Sequence, residues 1–518
     1  MLEDTDKSTA LLCEILSTHL AGQQIDPDDD FYAMGGDSLI ALRVVADAQD
    51  KGLAVTLRDI MFYPTARELG AHLADLVDEQ VDSVPAGRLS PVDLALLPAG
   101  VVEALPASAL QVAMIYLCET SGDPDLYHSA ISWEVAGEFD EPGFRQALDE
   151  LCQRHPALRT SLDLGTYSAP AQLVWSSVRP PLTVQPWEET ASAEGGGPID
   201  WGTAPLFRCQ VRTRPGAFSV ELVVHHAIVD GWSYGRVIVD LLSLYAAGIR
   251  GEAPELPALP EGVQQAFLEA EQRQIESSEA AEYWRRQADL PLALLTGRGR
   301  FGGVANACQS VEFGLSDELV RGLQEAARTL RLPLKSVALA AHASAFAALT
   351  GQDSEVVTGV VVNTRPQVSG SDLVAGLYLN TVPIRCRVTG SWAEIASAAL
   401  AAERDSSPYQ SYPLAHIENQ LGRPAFEVTF NFTNFHVYQE LSRLDELAVS
   451  SWQVRGKPSF PFRVDFEVAD IEAGNRVGVA FDPDLLPAGT AQRYAALFEQ
   501  ALIAFAADPM ADPTSTAG

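Results

Sequence analysis

The sequence predicts a multidomain protein in which a small bundle of four helices precedes a larger α/β region made of two lobes. Its 518 residues exceed what one ordinary hydrophobic core accommodates, so two to four domains are expected. The first 80 residues carry apolar positions at helical spacing. After about Pro106, runs rich in Val, Ile and Phe alternate with amphipathic helices, which is the order expected of an α/β fold.

The helical unit is predicted over residues 1–80. One helix occupies "STALLCEILSTHLAG", and a second, "SLIALRVVADAQDKG", ends at Gly52 in a C-cap position. A short helix ends before Pro64. Thr65 and Glu68 have the spacing of a capping box, so they mark the start of the last helix. Four short helices in so few residues form a small bundle with a thin core.

A linker is predicted over residues 81–104, because prolines recur there and no period is sustained. Its segment "VDLALLP" is apolar enough to dock on a surface. The rest of the chain is too large for one compact sheet, so we divide it into a first lobe at 105–275 and a second at 276–518. A bridging helix is predicted over residues 261–287.

Composition narrows the class of function. The net charge of −34 argues against binding to nucleic acid or an anionic membrane, because phosphate surfaces repel such a chain. The six cysteines have no metal-ligand spacing, so they predict neither a metal site nor a disulfide framework and fit a reducing cytoplasm. We expect no signal peptide or membrane span, since no run of about 20 apolar residues is present.

The stretch "MGGDSL" places Ser38 after two glycines at the predicted start of a helix. A helix N-terminus offers free N–H groups and the positive end of a dipole, which suits a bound phosphate. The glycines allow a large partner to approach the backbone closely. The alternative is that Asp37 or Ser38 is an ordinary N-cap.

The stretch "VVHHAIVDGWS" places His225 and His226 at the end of an apolar strand. Successive strand residues face opposite sides, so one ring is expected in a site and the other behind it. Adjacent histidines make a poor metal pair. The turn at Asp230 and Gly231, with a helix beginning near Ser233, could present N–H donors beside an imidazole, as acyl transfer requires. The alternative is a pair of buried structural histidines.

The surroundings of both stretches resemble known families. An acidic loop, an aromatic residue, GGDSL and a four-helix frame over residues 8–78 resemble the peptidyl carrier proteins of non-ribosomal peptide synthetases. That resemblance implies a covalent 4′-phosphopantetheine arm on Ser38. The pattern HHxxxDG resembles the condensation domains of the same synthetases, which have a chloramphenicol-acetyltransferase-like fold, over about residues 104–508.

Other condensation-domain motifs agree in part. The stretches that match them are "RHPALRTSL" (154–162), "VAGLYLNTVPIR" (374–385), "SALQVAMIYL" (108–117) and "GRPAFEVTFNF" (422–432). Leu162 stands where the family has phenylalanine, and Ala113 where it has arginine. No good match to the aromatic–acidic motif follows the helix predicted at 233–247.

The resemblance implies an active site between two α/β lobes, where two tunnels meet. His226 would act there as a general base or by positioning the attacking amine, and His225 would be structural. Asp230 would be an ion-pair anchor of the turn that carries Gly231, with Arg365 of "VVNTRP" as its partner. Asn380 and Thr381 would line the lobe interface, unless they only make strand-end hydrogen bonds.

Three functions compete on this evidence. The favoured one is an acyltransferase-type enzyme that forms a peptide bond between a donor on Ser38 and the amine of a downstream carrier-bound acceptor. Its partners would be that acceptor carrier, an upstream adenylation domain and a phosphopantetheinyl transferase. A carrier–epimerisation pair is the second, although no EGHGRE-like segment is present. A non-catalytic recruitment module is the third, although its histidine motif is usually damaged.

Overall fold

The structure is a computed structural model of the 518-residue chain. It describes residues 2–20, 23–34, 36, 40–41, 44–45, 47–48, 51–53, 55, 59–60, 63–75, 89–121, 123, 125–187, 197–289, 295, 309–434, 447–456, 460–468 and 474–513. In this part of the chain no single helix is long and apolar enough to cross a membrane, and one pair bent by 108°, Asp317–Leu330 with Leu334–Thr350, passes only on length and composition.

The N-terminal unit is helical, as predicted. Helix α1 is Leu2–His19 and helix α2 is Ala66–Asp75, and helical residues are also described between positions 40 and 48 and at 59–60. Thr65 and Glu68 form the predicted contact, since the Glu68 N–H donates to Thr65 Oγ1 at 3.2 Å. One buried cluster holds the unit together; its members include Leu12, Ile15, Phe31, Val44, Val45, Ile60 and Leu69.

The linker docks through a different set of residues than expected. The segment "VDLALLP" forms a short helix, α3 (Pro91–Ala95), and its apolar side chains Val92, Leu94 and Leu96 are exposed. The buried residues are Leu89 and Asp93, and the Asp93 carboxylate accepts hydrogen bonds from the backbone and side chain of Ser168. A buried, fully satisfied carboxylate therefore anchors the linker, and apolar burial contributes mainly at Leu89.

The first lobe is built on a mixed sheet with strand order β12-β2-β7-β6-β5 among the described residues. Its bounds are β2 His128–Ala136, β5 Leu182–Pro186, β6 Phe207–Arg214, β7 Ala217–His225 and β12 Ala448–Gly456. A smaller sheet, in the order β1-β4-β3, consists of β1 Val101–Pro106, β3 Thr160–Asp163 and β4 Ala171–Trp175. The helices are α4 Ala109–Ser121, α5 Glu141–Arg154 and α6 Gly231–Arg250.

Two helices join the lobes where the sequence predicted one. Helix α7 is Val263–Glu276 and helix α8 is Ser278–Gln287. The break is at Ser277, whose extended backbone and side-chain oxygen cap the second helix by accepting from the Ala280 N–H. Serine competes for local backbone hydrogen bonds in this way, which is why it favours helix starts over helix interiors.

The second lobe is built on a mixed sheet with strand order β10-β9-β11-β13-β14-β8 in the described ranges. Its bounds are β8 Gln309–Gly314, β9 Glu355–Asn363, β10 Leu379–Arg387, β11 Val428–Asn434, β13 Phe462–Val468 and β14 Arg476–Phe481. Its helices are α9 Asp317–Leu330, α10 Leu334–Thr350, α11 Trp392–Ser406, α12 Leu414–Leu421 and α13 Thr490–Ala507.

Strand β12 crosses between the lobes. It follows β11 of the second lobe in the chain, yet it pairs antiparallel with β2 of the first lobe, with Ala448 opposite Ala136 and Gly456 opposite Ser129. The first lobe therefore includes one strand from beyond the predicted division at 275/276. The division itself stays a prediction.

Candidate active site

The histidine pair lies in the turn between β7 and α6. Strand β7 ends at His225, and α6 begins at Gly231 with Asp230 as its N-cap. The Asp230 carboxylate accepts from the Ser233 N–H at 2.7 Å. The helix thus begins two residues before the predicted start, because the aspartate caps it.

His225 faces the interior of the first lobe. Its Nδ1 accepts from the Ala227 N–H at 3.2 Å, and its Nε2 lies 3.6 Å from the Sγ of Cys118. The ring also meets His128 edge-on at a centroid distance of 5.3 Å. Burial, with His128 and His226 close by, lowers the pKa of His225 to about 3. The ring is therefore neutral at physiological pH, and its Nε2 carries the proton.

His226 lies just past the end of the strand, in a different environment. Its backbone N–H donates to the Tyr127 carbonyl at 2.7 Å, and Tyr127 adopts the left-handed backbone with φ 60°. The side chain lies deep in the fold but retains accessible surface, while its Nδ1 is buried in the protein. Burial lowers the pKa of His226, so its imidazole is neutral. A neutral ring that retains accessible surface can orient an amine or accept its proton through its other nitrogen, Nε2.

The backbone of this turn is already hydrogen bonded within the protein. The His226 N–H donates to the Tyr127 carbonyl, the Ala227 N–H to His225 Nδ1 and the Ile228 N–H to the His225 carbonyl. The Asp230 N–H donates to the Gly376 carbonyl, and the Ser233 N–H to the Asp230 carboxylate. These five groups therefore cannot serve an oxyanion in the described arrangement. The expectation that the turn supplies such donors is not supported for them.

Asp230 and Arg365 are in contact across the two lobes. Arg365 Nη2 lies 3.3 Å from Asp230 Oδ2 and donates to Ser233 Oγ at 2.9 Å. Its Nη1 donates to the carbonyls of Ser371 and Val374 at 2.8 and 2.6 Å. The Arg365 side chain is fully buried, and these additional hydrogen bonds offset part of the cost of burying both charges.

We call the contact of Asp230 and Arg365 across the lobes, with Ser233, Gly376 and Tyr378 around it, the latch. Gly376 and Tyr378 were not singled out from the sequence. The Tyr378 N–H donates to Asp230 Oδ2 at 3.0 Å, and its ring lies under the Arg365 guanidinium at 4.3 Å. The Gly376 carbonyl accepts from the Asp230 N–H at 2.9 Å and from Ser233 Oγ at 2.8 Å. Both lie in the motif "VAGLYLN", so the signal was present but its contacts are not readable from spacing.

The motif "RHPALR" supports α6 from behind. Arg154 Nε and His155 Nε2 lie 2.7 and 2.8 Å from Asp240 Oδ2, and Arg236 lies 2.6 Å from Oδ1. Burial alone would raise the pKa of Asp240, but the His155 hydrogen bond and the neighbouring cations hold it below its usual value. This cluster fixes the helix that begins at Gly231.

Asn380 and Thr381 are placed on β10 in the second lobe. The Asn380 side-chain amide donates to the carbonyls of Gln410 and Tyr412 at 2.8 and 2.7 Å. The Thr381 N–H donates to Asn380 Oδ1 at 2.9 Å. Both are buried, and these contacts hold the loop at 410–412 against the strand.

Ser38 lies outside the described residues, but its neighbours bear on the predicted arm. Tyr32, Met34 and Gly36 line a cavity of about 630 Å³ together with residues of the second lobe, among them Asn363, Gln410 and Phe432. Such a volume accommodates an extended arm. The described residues therefore fit the cofactor. No group of three or more His, Cys, Asp or Glu that could hold a metal is found among them.

The comparisons with known proteins define the class. Residues 101–516 match the family described as condensation domain, and residues 9–73 match the family described as phosphopantetheine attachment site. The chain belongs to the condensation domain family, with a carrier domain before it that is the site of covalent 4′-phosphopantetheine attachment.

Its relatives are much longer proteins. The AMB antimetabolite synthetase AmbE of Pseudomonas aeruginosa is 31% identical over 98% of this chain, which spans only 25% of that protein. In fold, the condensation domain of the Monacolin K polyketide synthase MokA superposes with a TM-score of 0.67 at 17% identity, over 79% of this chain and 99% of that one. The first condensation domain of the calcium-dependent antibiotic synthetase gives 0.64 at 18%, over 80% and 98%.

Proposed function

We propose that this chain forms an amide bond between a donor acyl group carried on Ser38 and the amine of an acceptor on a downstream carrier. The observation that carries the proposal is the state of His226. Its imidazole lies deep in the fold, is neutral and retains accessible surface through which Nε2 could meet the amine, since Nδ1 is buried in the protein. A general base or a positioning group for an amine needs these properties.

The reaction class is that of an acyltransferase. When bound, the arm presents the donor acyl group as a thioester. A neutral amine attacks such a carbonyl readily once oriented, so His226 would act mainly by positioning the amine. It would also hold the released proton until the C–S bond breaks and the departing thiolate takes that proton up. His225 would support the turn and would not touch substrate. A lobe-spanning latch at Asp230 and Arg365 would keep both in place, with Gly231 starting the helix behind them.

The partners follow from the order of the domains. A carrier that precedes its condensation domain serves as the donor, and the cavity beside Met34 and Gly36 reaches the second lobe, which supports this role. We propose an acceptor carrier downstream, an adenylation domain upstream and a phosphopantetheinyl transferase as partners. The described cysteines form no disulfide, which is compatible with the reducing, cytoplasmic setting that we propose.

One assay separates this function from the two alternatives. Ser38 is loaded with an aminoacyl-pantetheine by a phosphopantetheinyl transferase, and an acceptor-loaded carrier is added. Mass spectrometry with chiral analysis then detects an amide product, an inverted donor residue or neither. An amide product supports condensation, an inverted residue identifies an epimerase, and the absence of both indicates a recruitment module.

A further inference from the structure

The start of helix α4 is a capping box whose second member has a spare donor. The Gln111 N–H donates to Ser108 Oγ at 3.2 Å, and the Ser108 N–H donates to Gln111 Oε1 at 2.8 Å. This reciprocal pair satisfies two of the N–H groups that every helix start leaves unpaired. It uses only the oxygen of the Gln111 side chain, so the amide nitrogen remains for another purpose.

That nitrogen reaches the histidine turn. Gln111 Nε2 donates to the carbonyl of Ala227 at 3.0 Å, across 116 residues of sequence. Gln111 is 3% exposed and Ala227 is fully buried, so this bond is largely shielded from bulk water. The bond is made to the residue directly after His226.

Other hydrogen bonds also hold the backbone of the turn in place. The Ala227 N–H is held by His225 Nδ1, and the His226 N–H by the Tyr127 carbonyl. Among the described residues no other donor to the Ala227 carbonyl is found, and a buried carbonyl without a partner costs about 1–3 kcal/mol. A turn relieved of this bond would rotate its peptide plane toward another donor and move the His226 ring with it.

We infer that Gln111 is a positioning residue for His226, which acts through the hydrogen bond from its amide nitrogen to the Ala227 carbonyl. The choice of glutamine supports this role. A capping box works equally well with glutamate, and the box of α11 uses one, Glu394 with Ser391. Glutamate at position 111 would cap α4 but could not donate to Ala227 when ionised. The inference rests on the proposed function only for its effect on rate.

The decisive variant is Gln111→Glu, which keeps the acceptor for the Ser108 N–H and removes the donor. Gln172→Glu is its matched control, because Gln172 is also buried and its Nε2 donates to a backbone carbonyl, that of Pro106, at 2.9 Å. Ser108→Ala removes one of the two bonds of the box, the one accepted by Ser108 Oγ, and leaves the Gln111 donor in place. If Gln111→Glu does not fold, Gln111→Met, uncharged and of similar length, replaces it and is compared with Ser108→Ala.

Two readouts are taken on the full chain. The first is the condensation rate with the donor and acceptor carriers of the assay above, separated into kcat and KM for the acceptor. The second is hydrogen–deuterium exchange of peptides that cover residues 223–231 and helix α4, which requires no substrate. We expect Gln111→Glu to lower kcat by about 10- to 100-fold with little change in KM, because small displacements of a positioned group have effects of this size. Exchange should rise in 223–231 and not in α4.

Three results would overturn the inference. One is a kcat within twofold of the parent together with unchanged exchange in 223–231. Another is an equal loss in Gln172→Glu, which would make the effect a general one of buried charge. The third is an equal loss in Ser108→Ala, which would assign it to helix capping. A parent chain that forms no amide would refute the proposed function, and the exchange measurement would still decide whether Gln111 holds the turn.

Discussion

Asp230 Oδ2 lies 3.3 Å from the Nη2 of Arg365, and the two residues come from different lobes, 135 positions apart in sequence. The same carboxylate caps α6 through Ser233 and accepts from the Tyr378 N–H. One side chain therefore starts the helix behind the histidine turn and fastens the second lobe to it.

Asp230→Ala is expected to lower stability and solubility. It leaves the Arg365 guanidinium buried without its counter-charge, at a cost of about 3–5 kcal/mol. Thermal and denaturant unfolding of the purified chain measure the loss. A variant as stable as the parent but without condensation activity would instead make Asp230 a direct catalytic group.

The two histidines are expected to fail in different ways. His226→Ala should fold, accept the arm on Ser38 and lose condensation by about 10²–10⁴-fold. His225→Ala should lower the melting temperature, because it leaves a cavity and removes the partner of the Ala227 N–H. Both are measured as rate and melting temperature side by side. A stable, inactive His225→Ala beside an active His226→Ala would reverse the assignment.

Ser38→Ala is expected to abolish attachment of the arm. Intact mass after incubation with coenzyme A and a phosphopantetheinyl transferase should show the added mass on the parent and none on the variant. Melting temperature provides the control that the carrier still folds. Full modification of the variant would place the attachment site elsewhere.

Glu271→Gln is expected to change how stability depends on pH. Burial raises the pKa of Glu271 to about 7, and its carboxylate accepts from the Ala109 N–H at 2.9 Å. A raised acid pKa means that the parent loses stability as pH rises from about 4.5 through about 7. The variant lacks this loss, so its stability relative to the parent should increase by about 2 kcal/mol between pH 5 and pH 8. Denaturant unfolding at both values tests this, with Glu269→Gln on the same helix as the control.

Gly376→Ala is expected to destabilise the latch. A Cβ at this position would lie 2.4 Å from the Tyr378 ring, which is fully buried and packs on Phe267 as well as on Arg365. Because its packing keeps the ring from moving aside, we expect the free energy of unfolding to fall by about 1–3 kcal/mol. Gly314→Ala, where a Cβ meets nothing within 4 Å, should leave the melting temperature unchanged.

The parts of the fold with a strong period were predictable from sequence. Strands such as 128–136 and 355–363 and the N-cap at Thr65 were predictable from local pattern alone. The break at Ser277 was not predicted, because the apolar period continues through it. The docking of the linker through Asp93 was also missed, since its partner Ser168 is 75 residues away.

The site was predictable where it depends on a local motif, and not where it depends on contacts between distant segments. The HHxxxDG pattern identifies the turn, and the expected neighbour Arg365 does contact Asp230. Spacing could not show that Gln111 bonds to Ala227 or that Tyr378 bonds to Asp230, because these contacts arise only when distant segments pack. The helix was expected to begin near Ser233 but begins at Gly231, because the sequence motif does not show which residue of the turn caps the helix.

Strand β12 also bears on how the protein is made. On the ribosome, β2 emerges about 310 residues before the strand that covers it. At roughly 5–20 residues per second, the open edge of β2 waits some 15–60 s for its neighbour. During translation the first lobe therefore presents an unpaired strand edge to other nascent chains, a surface that invites aggregation. Cells that express this chain at a high level would need chaperones to shield that edge until residue 456 has been synthesised.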